Sequence, residues 1–125
     1  MIKLKDLLLE VKFTEPDFDY EWEEAERYPK LFPNKQIWDN KVKTGKVMSI
    51  DCSMNVQNTD MCSYDGVDLH PGKVAGVKKQ IDSGKVELPI VMKHNGQYEL
   101  IGGNTRLVGL KKAGLPTKAW VFNYD

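Results

Sequence analysis

The run Gly102-Gly103-Asn104-Thr105-Arg106 holds the residue types best suited to chemistry. Two glycines separate a strand-like stretch, 98–101, from a helix-like stretch, 105–113. Such a turn leaves backbone N–H groups pointing out of a helix N-terminus, where the dipole favours an anion. Asn104 or Thr105 suits the N-cap. Arg106 conflicts with its position, because a cation in the first helical turn opposes the dipole by roughly 0.3 kcal/mol or more. An anionic ligand would remove the conflict: guanidinium, dipole and free N–H groups would all face one phosphate. The competing reading is a tight turn whose arginine pairs with a nearby carboxylate. Residue chemistry leaves both open.

A second cluster lies at 15–26, where Glu15, Asp17, Asp19, Glu21, Glu23, Glu24 and Glu26 place seven carboxylates in twelve positions. A phosphotransferase or hydrolase uses carboxylates to hold Mg²⁺ and orient a nucleophile. Glu23 or Glu24 is the candidate for that catalytic role. On a helix, Glu23 and Arg27 would be i, i+4 partners. The plainer reading is a solvated acidic face anchored by Trp22. Lys73, Lys78 and Lys79 either line the phosphate side or are solvated, and Lys111 and Lys112 suit a helix C-terminus. Trp38 and Trp120 read as core and His94 as exposed.

Other chemical signatures fail. Gly66 to Lys73 is one residue too long for a Walker A loop, and Val74 stands where Ser or Thr should meet magnesium. There is no G-x-G-x-x-G, H-E-x-x-H or G-x-S-x-G. Cys52 and Cys62 have no zinc-ligand spacing, and His70 and His94 form no paired motif with them. No signal peptide or membrane span is visible, so two free thiols in a reducing cytoplasm are expected. A Cys/His nucleophile pair is the sharper alternative to small residues in a loop or core.

The elements that must position these groups are clearest in the second half. Val74, Val77 and Ile81 at i, i+3 and i+7 predict a helix over 71–84, with Pro71 at its start and Gly84 at its stop. A strand follows at 86–92, then Asn95-Gly96, the strongest short hairpin signal. The return strand is 98–101. A helix over 105–113 presents Leu107, Leu110 and Ala113 and is ended by Gly114 and Pro116. A last strand covers 119–124. In the first half, helices are expected at 4–11, 14–28 (with a Thr14/Asp17 capping box) and 34–44, whose Ile37, Trp38 and Val42 face inward. A strand follows at 47–50, and 51–69 reads as a long loop.

The chain has 125 residues with 18 basic and 18 acidic side chains, which suits one domain, 1–125. Zero net charge argues against coating nucleic acid or anionic membrane by electrostatics alone. The balance is uneven: residues 1–65 carry −4 and residues 66–125 carry +4. Such asymmetry suits a task divided between two faces, or ordinary solvated surface.

Residues 70–123 resemble the ParB/sulfiredoxin superfamily. The likeness is carried by Val74-Ala75-Gly76-Val77-Lys78-Lys79-Gln80-Ile81-Asp82-Ser83-Gly84, by Leu88-Pro89-Ile90-Val91-Met92, by Asn95-Gly96-Gln97-Tyr98-Glu99-Leu100-Ile101-Gly102-Gly103-Asn104-Thr105-Arg106, and by Leu110-Lys111-Lys112-Ala113-Gly114-Leu115. The resemblance implies a nucleotide site in which the G-x-x-R turn grips the phosphates of CTP, ATP or ADP with Mg²⁺. By position, that role falls to Gly102, Gly103, Asn104, Thr105 and Arg106. Sulfiredoxins carry their reactive cysteine directly after the two glycines; Asn104 stands there, so sulfinic-acid repair is excluded. Partition ParB proteins read G-E-R-R and append a helix-turn-helix domain, for which no chain remains after Asp125. The closest flavour is the G-H-T-R of free-serine kinases, and the chain looks most like the short stand-alone members found in bacteriophages.

The expectation is therefore an α/β (α+β) domain with a ParB/sulfiredoxin-like mixed sheet and packed helices. Residues 1–45 would form a helical N-terminal extension and 46–125 the core. The expected function is nucleotide binding with NTP hydrolysis or phosphoryl transfer, in the cytoplasm (that of the host, if phage-encoded). The alternatives are a non-enzymatic module that holds a nucleotide or a protein partner, and a ParB-like protein acting on DNA, which is not favoured. No membrane partner is expected.

Overall fold

A computed structural model describes residues 11–62 and 71–125. Within them the chain runs β1 (Lys12–Thr14), α1 (Phe18–Ala25), α2 (Lys35–Val42), β2 (Lys46–Ser49), a 3₁₀ turn (Cys52–Met54), α3 (Pro71–Ser83), β3 (Lys85–Glu87), β4 (Ile90–His94), β5 (Gln97–Gly102), α4 (Asn104–Lys112) and β6 (Lys118–Asn123). The fold is α+β. One sheet has the order β2-β6-β4-β5, with β4 and β6 parallel and the other pairs antiparallel. The short strands β1 and β3 pair parallel in a second sheet.

Alternation along the strands explains how both faces of the larger sheet are covered. Ile90, Met92, Ile101 and Phe122 point to one face and pack on Ala25, Phe32, Trp38 and Val42. Val91, Leu100, Ala119 and Val121 point to the other and meet Leu107, Ile50 and Met61. A strand buried on both faces reads as a continuous apolar run, and Ile90-Val91-Met92 does so. A third group, Val86, Leu110 and Leu115, joins the small sheet to α4. The aromatic side chains also satisfy their polar ends. Trp38 Nε1 donates to the Phe18 carbonyl at 2.9 Å, and Trp120 Nε1 to the Val42 carbonyl at 2.7 Å. The Tyr124 hydroxyl donates to the Leu31 carbonyl at 2.8 Å. These bonds lock α1, α2 and β6 together.

Several expected elements take a different form. Thr14 belongs to β1, so the helix expected from 14 begins at Phe18, and Asp17 alone caps it by accepting from the Tyr20 N–H at 3.1 Å. The run 86–92 is two strands in two sheets, divided at Leu88-Pro89. Pro89 has no N–H to donate, but its carbonyl accepts from the Trp120 N–H at 2.8 Å and so opens the pairing with β6. The 34–44 helix is α2, capped by Asn34, with Trp38 and Val42 buried. Asn95 and Gly96 take φ of 52° and 76°, the hairpin geometry expected of that pair. Of the helix expected at 4–11, only Val11 is described, and it is not helical; the rest lies outside the described residues.

The free thiols expected of Cys52 and Cys62 are also corrected: the two are joined in a disulfide, with Cα atoms 5.7 Å apart. This removes the free-thiol ground for a reducing compartment and leaves no thiolate for a Cys/His pair. The pairing is possible because the chain doubles back between them. Gln57 bridges to β5, its N–H donating to the Tyr98 carbonyl at 2.8 Å and its carbonyl accepting from the Leu100 N–H at 2.9 Å. Met61 is buried in the second core group. Among the described residues no helix is long and apolar enough to cross a membrane.

A cross-link over this short loop restricts the unfolded chain by about 2–3 kcal/mol. The double variant Cys52→Ser/Cys62→Ser should therefore lose about that much stability in urea unfolding, and added reductant should lower the wild type to the same midpoint. Equal midpoints with and without reductant would contradict a cross-link in the folded protein.

Candidate functional site

The turn after β5 is shaped by two close approaches. Gly103 takes φ of 93° and is the N-cap of α4, and a Cβ there would stand 2.8 Å from Pro89 Cα. A Cβ on Gly102 would collide with Glu21 Oε2. The first glycine therefore admits a carboxylate from α1, and the second makes the left-handed turn. Neither Asn104 nor Thr105 is the cap, which has no side-chain hydrogen bond.

The turn lines a cleft of about 790 Å³ whose walls come from α1, the 58–60 segment, α3, β3 and the start of α4. Arg106 lies inside it and is only 11% exposed. Its Nη2 donates to Glu21 Oε1 at 2.8 Å, and its Nη1 lies 3.1 Å from Glu87 Oε2. Of the two readings of this arginine, carboxylate pairing is the one present here. Glu87 also fixes the start of α1, accepting from the Asp17 N–H at 2.6 Å. One guanidinium thus ties α1 and β3 to the first turn of α4. The amides of Asn104, Thr105 and Arg106 begin that helix and have no acceptor within it; the first such bond runs from the Leu107 N–H to the Gly103 carbonyl.

Glu21 is buried, and its carboxyl is held above the ordinary glutamate range. Loss of hydration is the main cause. Arg106 opposes it, while Glu87 and Glu24 add to it by repulsion. Asn104 turns the other way and binds the facing segment. Its Oδ1 accepts from Thr59 Oγ1 at 2.8 Å and from the Asp60 N–H at 3.0 Å, and its Nδ2 donates to Asp60 Oδ2 at 3.0 Å. Asn58 Nδ2 donates to the Leu100 carbonyl at 2.9 Å and to the Tyr28 hydroxyl at 3.1 Å. Burial and Glu99 push that hydroxyl up to about 12, so it stays neutral.

The two candidate clusters therefore meet, but not through every expected residue. Gly102, Gly103, Asn104, Thr105, Arg106 and Glu24 all line the cleft. Glu23 is exposed and does not line it. Glu24, not Glu23, pairs with Arg27, at 3.2 Å and i, i+3 spacing. Lys78 and Lys79 are exposed and outside the lining, where α3 supplies Gly76, Val77 and Gln80 instead. The side chain of Lys73 lies outside what is described. Glu21 was not singled out from the sequence, yet Phe18, Glu21 and Ala25 fall at i, i+3 and i+7, the core-facing stripe of α1. Asn58, Thr59 and Asp60 carried no motif; only the disulfide and the bridge to β5 bring them in.

His94 sits at the opposite end of the β4–β5 hairpin. Its Nδ1 lies 2.6 Å from Asp125 Oδ1, and the Asn95 N–H donates to Asp125 Oδ2 at 2.8 Å. Those contacts, the backbone bond first, hold the Asp125 carboxyl below its ordinary range. The group secures the chain end against the hairpin. Among the described residues no three His, Cys, Asp or Glu side chains gather as a metal site. No protein-family model, curated protein or solved structure matches the chain.

Because the folded protein holds the Glu21 proton more tightly than the unfolded chain does, this group makes stability fall as pH rises from the ordinary glutamate range through its raised value. Glu21→Gln should flatten that part of the stability–pH curve measured by urea unfolding; an unchanged slope would contradict the raised carboxyl. Separately, Gly103→Ala must take a positive φ and press on the Pro89 backbone. It should cost about 1–3 kcal/mol, and a variant as stable as wild type would contradict the tight turn.

Proposed function

We propose that this protein is a nucleotide-binding protein of the ParB/sulfiredoxin type, which takes CTP, ATP or ADP with Mg²⁺ in the cleft and hydrolyses it or transfers its phosphoryl group. One observation carries the reading. Glu21 and Glu24 of α1 line the same cavity as Asn104, Thr105 and Arg106, so the acidic helix and the anion-favouring helix N-terminus face one another. Further support comes from the geometry of the turn: amides at the start of α4 that have no acceptor among the described residues, and a guanidinium within the same wall.

The phosphates would lie on the Asn104, Thr105 and Arg106 amides and share the Arg106 guanidinium with its present carboxylate partners. Thr105 would add a hydroxyl. Glu24 is the proton acceptor in this scheme. It lines the cleft, its side chain is 30% exposed, and its partner Arg27 is a solvated arginine that can release it. Glu21, with its raised affinity for a proton, can take a proton when Arg106 turns to phosphate.

The charge of the cleft fits a metal-bound nucleotide better than a bare one. Its described lining carries four carboxylates, Glu21, Glu24, Asp60 and Glu87, against the guanidiniums of Arg27 and Arg106. A polyanion would be repelled there unless a cation travelled with it. Mg²⁺ is commonly held by one or two carboxylates plus substrate phosphates, and so needs no cage made by the protein alone. Asp60 is the side chain that could hold it, and it would neutralise phosphate charge.

Calorimetry with CTP, ATP and ADP, each with and without Mg²⁺, tests this reading. Saturable binding that weakens when Mg²⁺ is withheld is expected, and no binding by any of the three would overturn it. Arg106→Lys keeps the charge but cannot bridge in the same fork, and should bind at least about tenfold more weakly. Phosphate release that stops in Glu24→Gln while binding persists is the expected sign of catalysis. Binding without any turnover would replace the enzyme with a regulatory module.

A further inference from the structure

The cleft is larger than its phosphate-favouring end requires. At about 790 Å³ it lies within the range that encloses a whole organic ligand, roughly 300–1,000 Å³. The cleft therefore has room for a ligand body beyond the phosphates. Most of the described lining is carboxylate, amide, hydroxyl or backbone, and Tyr20 is its only aromatic side chain.

Tyr20 is an unusual use of an aromatic residue. It is 68% exposed, the most exposed of the large hydrophobic side chains among the described residues. Its hydroxyl has no hydrogen-bond partner among them either, so neither packing nor a polar contact accounts for the ring. Its backbone, by contrast, is firmly held. The Tyr20 N–H is taken by the Asp17 cap, and the next residue, Glu21, is buried and paired to Arg106. The ring thus projects from a position fixed relative to the α4 turn. Nearby charge is largely negative, which disfavours a second anionic group but not a flat, neutral ring.

Resting on the nucleotide reading above, we infer that Tyr20 is the stacking platform for the nucleobase and sets the preference for a nucleotide over other phosphate compounds. Every base has a π-face, so such a platform accepts purines and pyrimidines alike. Selectivity among bases would come from polar groups elsewhere in the cleft. An inorganic polyphosphate would use the turn and leave Tyr20 untouched.

The experiment compares ATP, CTP and inorganic tripolyphosphate, each with Mg²⁺, on the wild type, Tyr20→Ala and Tyr20→Phe by calorimetry. The exposure of Tyr20 means that neither substitution disturbs the core. Tyr20→Ala should weaken ATP and CTP by at least about fivefold and leave tripolyphosphate within about twofold. Tyr20→Phe should restore nucleotide affinity, because the ring and not the hydroxyl is used. Base-proton resonances of bound ATP should shift upfield in the wild type and lose that shift in Tyr20→Ala. Wild-type nucleotide affinity in Tyr20→Ala would overturn this inference alone, as would equal losses for nucleotide and tripolyphosphate. Failure of the wild type to bind any nucleotide would instead overturn the reading on which it rests.

Discussion

The structure of the cleft depends on holding one buried carboxyl group beside one guanidinium. Glu21 is almost without water and Arg106 nearly so, and each is costly to bury alone. Together, with Glu87 as the third member, they form a compensated group that joins α1, β3 and α4. Much else follows from making room for it. Position 102 can carry no side chain, position 103 must turn left-handed, and the start of α1 is tied by its Asp17 N–H to the same Glu87 that meets Arg106. Removing Arg106 would leave both carboxylates without their counter-ion in a place where charge is poorly solvated, so the two acids depend on one guanidinium.

That unit also defines how an anion can enter. A bidentate phosphate seeks the same guanidinium edges that Glu21 and Glu87 hold. On the proposed reading, binding would be an exchange of partners at Arg106, not the filling of an idle site. Such an exchange would favour the anion only where the displaced carboxylates found a proton or a cation, and Glu21 has a raised affinity for a proton. Protonation of Glu21 and anion binding would then be linked through the Arg106 side chain.

How far this could be read from the sequence depends on the distance over which each feature acts. The turn at 102–106, the hairpin at Asn95-Gly96 and the helices α2, α3 and α4 rest on local signals, and all were legible. The single strand expected at 86–92 failed because an apolar run does not say which sheet it joins; Pro89, unable to donate, is where the chain changes partners. The helix expected from Thr14 failed because β1 pairs with β3 some seventy residues away. At the site, Arg106 was legible as a cation in conflict with its helix, but its partner was not. Glu21 is one acidic residue among seven, and only the apolar stripe with Phe18 and Ala25 marks it as inward-facing. Glu23, two positions on, lies on the outer face for the same geometric reason. The Cys52–Cys62 pair shows the opposite limit: its spacing matches no metal motif, and the fold alone brings the two sulfurs together.

The charge division of the chain sharpens when placed in space. The sequence divides into halves of −4 and +4, a pattern that suits two opposed faces. The cleft does draw Glu21, Glu24 and Asp60 from the negative half and Arg106 from the positive half. Yet the positive half also contributes Glu87, and the negative half Arg27, while Lys78 and Lys79 point elsewhere. The local balance is therefore acidic at the very turn whose backbone favours an anion. Solvated lysines at a distance are screened within about 10 Å at ordinary ionic strength, whereas a desolvated pair is screened much less. The field that a ligand meets is set by the Glu21–Arg106–Glu87 group and the amides of α4, and hardly at all by the sum over either half.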